Sequence, residues 1–251
     1  MRLSRILPPA VGFATVVLAL VIVEILLRLN ILNPFVIPLP STVFGSFGRL
    51  FAEEQLLERL MMTGGEALAA SVLVAVVGVA LGVLLYKVRV LALATEPWVA
   101  GVAAAPVVLA YPLFLVIFGR STATVVAMGF VAGLAPVILK TLEGLKGVRK
   151  SLINVGLSYN LTPAQQFWKI EFPAAIPTIF VGVRLGLVFA LINLIGVEFL
   201  INFGGLGQLI NDLAERYDLA GVFATIVFVI LVSVVIFATL ERMERWFRPG
   251  R

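Results

Sequence analysis

Residues 67–86 read ALAASVLVAVVGVALGVLLY, twenty residues without one charged side chain. A membrane-crossing helix needs about 20 mostly apolar residues, because each residue rises about 1.5 Å and the hydrocarbon core is about 30 Å thick. Five further stretches meet this requirement. The six predicted spans are residues 9–29, 67–86, 97–118, 123–139, 176–201 and 219–240. The sequence therefore predicts an all-α, polytopic membrane protein that forms one transmembrane domain over residues 1–251.

The composition excludes an ordinary soluble domain. Hydrophobic residues make up 61% of the 251 residues and charged residues only 13%, whereas soluble domains are about 25% charged. The chain has neither His nor Cys, which excludes disulfides, thiol chemistry and zinc sites of the usual ligand types. At this hydrophobicity the net charge of +5 indicates a membrane surface and no nucleic-acid partner.

Lys and Arg residues are distributed unevenly between the predicted loops. With the N-terminus in the cytoplasm, thirteen of them fall on the cytoplasmic side and five outside, while Arg184 lies within a span. Cytoplasmic loops of membrane proteins carry such an excess. We therefore expect a bacterial-type inner-membrane protein with both termini in the cytoplasm. The first apolar run is interpreted as a retained span because no signal-peptide cleavage site follows it.

A short amphipathic helix is predicted outside the membrane after the first span. Residues 38–51 read PLPSTVFGSFGRLF, in which apolar residues from Val43 to Phe51 recur at helical spacing. Ser41 is expected to cap the N-terminus of this helix. Such an element would lie on the outer surface with its apolar face against the bundle.

The predicted cytoplasmic loop, residues 141–172, is too long for a simple turn and contains helix signals. Ser151 is expected to cap a short helix, and Asn160 suits a left-handed position after its end. Thr162-Pro163-Ala164-Gln165 is typical of a capping box with proline at the first helical position. The loop is thus predicted to consist of two short helices around a tight turn.

Pro173 and Pro177 are expected to break the chain where it re-enters the membrane after this loop. Two interpretations of the loop are open. It is either a docking surface for a partner protein or a self-packed element at the membrane interface, and its apolar residues favour docking.

Glycines and charges inside the spans give further predictions. The pairs Gly78/Gly82, Gly129/Gly133 and Gly182/Gly186 are expected to let helices approach closely. The three glycines of NFGGLGQLI, residues 202–210, permit a tight turn after the fifth span. The sequence contains no G-x-x-x-x-G-K-[ST] phosphate loop.

A charge at mid-bilayer costs about 2.5–3.5 kcal/mol, so such residues are candidates for function. Glu24 is expected to pair with Arg28 one helical turn later. Arg184 is expected to reach toward the cytoplasmic interface. Glu198 is expected to face either a cavity or the glycine-rich segment 202–210.

The loop and the residues after it resemble the signature loop of ABC importer permeases. The similarity rests on Phe172-Pro173-Ala174-Ala175-Ile176-Pro177 followed by Gly182-Val183-Arg184-Leu185. Leu39-Pro40-Ser41, Pro97, Glu198 and Gly205-Leu206-Gly207 resemble the nitrate, sulfonate and taurine branch of that family. The resemblance extends from about Phe35 to the C-terminus.

The resemblance implies that the loop forms a coupling helix, which docks on a separate ATPase subunit. Counting back from Pro173, the family's Glu-Ala-Ala positions fall on Asn154, Val155 and Gly156, and its loop glycine falls on Asn160. The acidic residue is therefore absent here, whereas Asn can occupy the left-handed position of glycine. The residues expected to couple to the ATPase are Leu152, Asn154, Val155, Gly156, Ser158, Tyr159, Asn160, Phe167 and Trp168.

The family pattern also implies partners and a mechanism. The expected partners are two ATPase subunits, a second permease copy or a paralogous permease, an extracytoplasmic substrate-binding protein, and the lipid bilayer. ATP and Mg²⁺ would bind the ATPase chain, so this chain is expected to hold no cofactor and to catalyse no reaction. The spans would move a small organic anion or vitamin-like molecule by alternating access. The pathway is predicted at Ala104, Pro106, Tyr111, Asn193 and Glu198.

Two other functions are open from the residues alone. The chain could be an ion-coupled secondary transporter in which Glu24 and Glu198 titrate, although no inverted repeat of the kind found in many such transporters stands out. It could also be a membrane scaffold that transports nothing. Uptake by the chain alone would favour the first, and absence of any ATPase partner would favour the second.

Overall fold

A computed structural model describes the backbone of residues 3–247 and the side chains of residues 11–242 and 244. This part of the chain contains helices and no strand, which confirms the all-α prediction. Eleven α-helices follow one another in these residues, with a 3-10 turn (Val107–Ala110) before the fifth and a π turn (Phe167–Glu171) before the ninth. They are α1 (Leu3–Arg28), α2 (Pro40–Ala52), α3 (Leu56–Lys87), α4 (Arg89–Ala104), α5 (Tyr111–Phe118), α6 (Thr122–Lys146), α7 (Lys150–Ser158), α8 (Pro163–Gln166), α9 (Phe172–Ile201), α10 (Gly205–Glu215) and α11 (Leu219–Phe247).

Five helical segments of the described chain are long and apolar enough to cross a membrane. They are Val11–Arg28, Leu56–Lys87, Thr122–Lys146, Pro163–Ile201 and Leu219–Arg242. The third predicted span, residues 97–118, is bent: α4 and the segment Val107–Phe118 meet at 92°. Ala105 at this bend is extended, as expected for a residue that precedes a proline. The prediction of six spans therefore holds if the bent pair counts as one.

Helices α3, α6 and α9 form the centre of the bundle, because glycines let their backbones approach. Gly133 of α6 faces the backbone carbonyl of Gly186 of α9, so a Cβ on either residue would overlap the other helix. Gly78 and Gly82 of α3 face Val137 and Thr141 of α6, and a Cβ on either glycine would overlap those side chains. All six glycines of the predicted pairs lie at interfaces between these three helices.

Helix α2 is amphipathic, as its sequence predicts. Val43 and Leu50 are buried, whereas Phe44 and Phe51 on the other side are largely exposed.

We call the end of the bundle that carries α2 and α10 the α10 end, and the opposite end, which carries α7, the loop end.

The prediction that Ser41 caps α2 is wrong. The helix begins at Pro40, and Leu39 occupies the capping position without a side-chain hydrogen bond. Proline suits the first helical position, which Pro40 occupies, because an N–H there would have no intrahelical partner. Ser41 instead donates to Glu24 of α1, from its backbone N–H at 3.1 Å and from its hydroxyl at 2.9 Å.

The boundaries of the predicted loop 141–172 also need correction. Helix α6 continues to Lys146, and α7 begins at Lys150 with Arg149, not Ser151, in the capping position. Pro173 and Pro177 do not break the chain. One helical run extends from Pro163 through the π turn to Ile201 and contains both prolines. A membrane helix tolerates the lost N–H of proline where its surroundings satisfy the freed carbonyl.

Candidate functional site

At the loop end, the short helix α7 lies against the beginning of the long helical run. The side-chain Nε2 of Gln166 donates to the backbone carbonyl of Ile153 at 3.2 Å. Gly156 faces Gln166 and Ile170, and a Cβ on this glycine would overlap both side chains. Glycine at this position therefore allows α7 to pack tightly on α8 and the π turn.

The turn between α7 and α8 has the geometry that the sequence predicts. Asn160 adopts a left-handed conformation with φ of 51°, and the N–H of Leu161 donates to the carbonyl of Gly156 at 3.1 Å. Thr162 and Gln165 form the predicted capping box, with hydrogen bonds of 3.0 and 3.3 Å. The loop is thus a defined element and not a flexible connector.

The loop end presents a group of exposed side chains that we call the docking face. Val155 is 51% exposed, Trp168 60% and Tyr159 78%. The complete docking face comprises Asn154, Val155, Ser158, Tyr159, Asn160 and Trp168, which are all exposed. Apolar side chains that are exposed beside polar ones are typical of protein interaction sites.

Three of the residues predicted for coupling lie elsewhere. Gly156 is buried under Gln166, Leu152 is half-buried, and Phe167 is only 4% exposed. The ring of Phe167 stacks on Tyr86 of α3, with 6.4 Å between the ring centroids. These three residues therefore pack beneath the docking face and are not part of it.

The predicted pathway residues other than Glu198 lie around the bend between α4 and α5. Ala104 and Pro106 are exposed at the bend, and Tyr111 just after it is half-buried. The 3-10 turn packs against α9 at Gly196, where a Cβ would lie 3.8 Å from Cγ2 of Val108. Asn193 precedes this contact by about one helical turn.

Glu198 lies apart from that surface and is fully buried, with 0% exposure. Its carboxylate accepts hydrogen bonds from the Thr63 hydroxyl at 2.8 Å and from the Gly207 N–H at 2.8 Å. The Thr63 oxygen in turn accepts from the N–H of Leu206 at 2.8 Å. An acidic group at the beginning of a helix satisfies its free N–H groups, so Glu198 fixes the first turn of α10.

The glycine-rich segment is shaped around this carboxylate. Gly204 and Gly205 have φ of 60° and 67°, in the left-handed region that favours glycine. A Cβ on Gly205 would overlap the carboxyl group of Glu198, and one on Gly207 would overlap its Cβ. Of the two expected surroundings of Glu198, the structure shows the glycine-rich segment.

A second buried acid, Glu66 of α3, lies beside Glu198 and Thr122. Glu66 is only 3% exposed. Glu66 was not among the predicted site residues, although it stands in the polar segment just before the apolar run of α3. Its proximity to Glu198 depends on the packing of α3 against α9, which no local pattern reveals.

Other intramembrane charges connect helices. Arg184 of α9 pairs with Glu244 of α11 at 2.9 Å, a contact that no local sequence pattern reveals because the partners are sixty residues apart. Glu24 pairs with Arg28 at 2.6 Å, as predicted. Glu24 also accepts hydrogen bonds from Ser41, so it joins α1 to the first turn of α2.

Ion pairs connect the helices at the α10 end. Asp218 accepts hydrogen bonds from Arg49 and from the N–H of Gly221. Burial alone would raise the pKa of Asp218, but these hydrogen bonds and the positive charge of Arg49 outweigh it and hold the pKa below its usual value. Arg216 pairs with Glu54 at 2.9 Å and Arg59 with Asp212 at 3.1 Å. Among the described residues, no group of three or more Asp or Glu side chains could hold a metal ion.

Comparisons with known proteins agree with this architecture. Residues 74–249 match the family described as "Binding-protein-dependent transport system inner membrane component". The chain is 29% identical over 249 residues to the riboflavin transport system permease protein RibX of Chloroflexus aurantiacus. The aligned region covers 97% of this chain and 93% of that protein. It is 26% identical over 176 residues to the nitrate import permease protein NrtB of Synechocystis. That aligned region covers 70% of this chain and 64% of that protein.

The fold is also found in a solved structure. A chain of the MetNI methionine ABC transporter, crystallised in inward-facing conformations, superposes with a TM-score of 0.67 at 20% identity and covers 77% of this chain and 97% of that chain. At this identity the likeness concerns the fold. The sequence match extends over most of the spans and over the whole loop end. The chain therefore belongs to the binding-protein-dependent transport system inner membrane components, the permease subunits of ABC importers.

Proposed function

We propose that this chain carries a small solute inward by alternating access, driven by ATPase subunits that bind the docking face. One observation above all supports this proposal. The docking face is fastened to a single helical run, Pro163–Ile201, which also carries Asn193 beside the bend. A displacement of α7 is therefore transmitted along a continuous backbone to the predicted pathway.

The chemistry of the docking face suits an ATPase groove. A short helix with exposed apolar and aromatic side chains is a common ligand for a hydrophobic groove on a partner protein. Val155, Tyr159 and Trp168 supply this character, while Asn154 stands where related loops carry an acidic residue. We propose that contact with the ATPase depends more on apolar burial than on an ion pair.

The proposed orientation places the loop end in the cytoplasm and the α10 end outside. Lys140, Lys146, Arg149, Lys150 and Lys169 all lie at or near the loop end, as expected for the cytoplasmic side. The extracytoplasmic substrate-binding protein would then dock at the α10 end. ATP and Mg²⁺ would bind only the ATPase chains.

The pathway is proposed to form between two permease chains, at the surface where the bend meets α9. Leu109 is 72% exposed there and Ile192 of α9 65%. A second copy of this chain, or a paralogous permease, would cover these side chains. The switch between inward-open and outward-open states requires contacts that differ between the two states, and the exposed bend supplies a surface that can repack.

The proposed substrate is a small organic anion or a vitamin-like heterocycle. The name of the riboflavin permease RibX supports a vitamin-like heterocycle, and another relative, 26% identical over 217 residues, is named as a putative aliphatic sulfonates permease, which supports an organic anion. Measurement of ligand binding by the cognate extracytoplasmic binding protein, with both classes offered, would identify the substrate. Binding of neither class would contradict this part of the proposal.

The test of coupling compares two exposed tyrosines at opposite ends of the bundle. Tyr159, in the docking face, is 78% exposed and Tyr217, at the α10 end, is 88% exposed. Tyr159→Asp should abolish co-purification of the ATPase, whereas Tyr217→Asp should leave it unchanged. Retention of the ATPase by Tyr159→Asp would contradict the assignment of the docking face.

The test of transport uses proteoliposomes that contain the chain with its ATPase and receive the binding protein outside. We expect uptake that requires ATP inside and the binding protein outside. Uptake by the chain without any ATPase would contradict the proposal and indicate a secondary transporter.

A further inference from the structure

The end of α3 contacts the π turn through a hydrogen bond between residues far apart in the sequence. The hydroxyl of Tyr86, in the last turn of α3, donates to Oε2 of Glu171 at 3.0 Å. Glu171 is the last residue of the π turn, which joins α8 to α9. Both side chains are half-buried, so the contact is partly shielded from water.

The residue next to Tyr86 strengthens the same contact. Nζ of Lys87 lies 4.3 Å from the centroid of the Phe167 ring, a distance typical of a cation–π interaction. The Tyr86 ring stacks on the same phenylalanine. Phe167 also touches Trp168, with 5.0 Å between centroids. The end of α3 thus holds both the first and the last residue of the π turn.

The π turn is a place where the long helical run could bend. π-Helical hydrogen bonding is rare and is used in single turns within α-helices, often at functional sites, and such turns are recognised causes of helix kinks. A force on α7 could therefore be absorbed by bending at Phe167–Glu171 before it tilts α9. The contacts from α3 oppose that bending.

We propose that Tyr86 is a positioning residue for coupling: its hydrogen bond to Glu171 holds the π turn rigid, so that a displacement of the docking face moves α3 and α9 together. This inference rests on the proposed function. It adds α3 as a second route from the docking face into the bundle, besides the continuous backbone of α9. The route is stiff because Gly78 and Gly82 bring α3 into close contact with α6.

The first experiment measures how much solute is transported per ATP hydrolysed. Tyr86→Phe removes one hydroxyl and keeps the ring, and Tyr217→Phe is the matched control at the exposed α10 end. We expect Tyr86→Phe to bind the ATPase normally but to transport at least about fivefold less solute per ATP, the lower end of usual coupling between two sites. An unchanged ratio would overturn the proposal.

The acceptor side gives an independent check. Glu171→Gln keeps an oxygen that can accept the Tyr86 hydrogen bond, so its transport per ATP should stay near the wild-type ratio. Glu171→Leu removes the acceptor and should match Tyr86→Phe. Equal losses in Glu171→Gln and Glu171→Leu would show that charge matters and not the hydrogen bond, and would overturn the role of Tyr86.

The second experiment measures rigidity directly. The chain has no Cys, so spin labels can be placed at Val88→Cys, just after α3, and at Ala164→Cys in α8, which are both exposed. Labelled chain is diluted with unlabelled chain so that distances within one chain dominate. The distance should be the same without nucleotide and with bound ATP in the wild type, and should shift or broaden in Tyr86→Phe. A shift in the wild type would overturn the proposal.

The outcomes separate the two proposals. If the wild-type complex shows no ATP-driven uptake, the proposed function fails. If the wild type transports and Tyr86→Phe transports equally well per ATP, the proposed function stands and the role of Tyr86 fails.

Discussion

The side-chain amide of Gln166 donates a hydrogen bond to the backbone carbonyl of Ile153, at 3.2 Å. Thirteen residues separate the partners, and the contact spans the tight turn at Asn160. The docking face therefore keeps its orientation relative to the long helical run through a side-chain bond, and not only through the intervening chain.

Gln166→Leu should loosen α7 while keeping the volume of the side chain. The loss of one hydrogen bond costs about 1 kcal/mol, so amide hydrogens of α7 should exchange about fivefold faster. Hydrogen exchange measured by mass spectrometry checks this, with the amides of α6 as an internal control. Unchanged exchange in α7 would show that packing at Gly156 alone holds the helix.

Glu198→Leu should destabilise the α10 end much more than Glu198→Gln. Leucine leaves the N–H of Gly207 and the hydroxyl of Thr63 without their acceptor, at about 1–3 kcal/mol for each unsatisfied group. Glutamine keeps an oxygen acceptor of the same length. Thermal unfolding in detergent micelles measures the difference, and equal midpoints for the two variants would contradict the structural role of the carboxylate.

Gly133→Ala should destabilise the bundle, because its Cβ would overlap the backbone of Gly186, which cannot rotate away. Overpacking of this kind typically costs about 1–3 kcal/mol. Gly65→Ala is the matched control: it also lies within a membrane helix, and nothing lies within 4 Å of its added Cβ. The control should be neutral or slightly stabilising, because Ala favours helix more than Gly. Thermal unfolding of both variants tests this, and an equal loss in the two would contradict close packing at Gly133.

The pair Asp218–Arg49 should make stability depend on pH below about 4. The pKa of Asp218 is depressed in the folded chain, so its contribution is fully present above the ordinary Asp pKa of about 3.9 and is lost as the pH falls through the folded pKa. The pair is partly exposed, which limits this contribution to about 1 kcal/mol. The difference in thermal midpoint between wild type and Asp218→Asn should therefore shrink from pH 6 to pH 3. A constant difference would contradict the linkage.

Local patterns in the sequence were sufficient for most of the fold. Apolar length alone located five spans, because the bilayer requires the same length wherever a helix crosses it. The turn of Asn160 and the capping box at Thr162 also follow from adjacent residues. The glycine pairs correctly marked close helix contacts, although the sequence did not show which helices they join.

The errors concern residues whose role depends on distant neighbours. Phe167 was expected at the partner surface but is buried because the end of α3 packs over it. Ser41 was expected to cap α2 but instead bonds to Glu24 of another helix. Pro173 and Pro177 were expected to break the chain, but the helical run Pro163–Ile201 continues through both. Glu66, Gln166 and Glu244 were missed for the same reason.

The run Pro163–Ile201 contains 39 residues, which corresponds to a rod of about 58 Å at 1.5 Å per residue. The hydrocarbon core is only about 30 Å thick, so much of this rod extends beyond it. If it pivots about one end, a tilt of about 10° displaces the other end by about 10 Å, by simple geometry on that length. In the proposed mechanism such a rod would act as a lever, because a small rotation imposed at the loop end would displace the far end by about 10 Å.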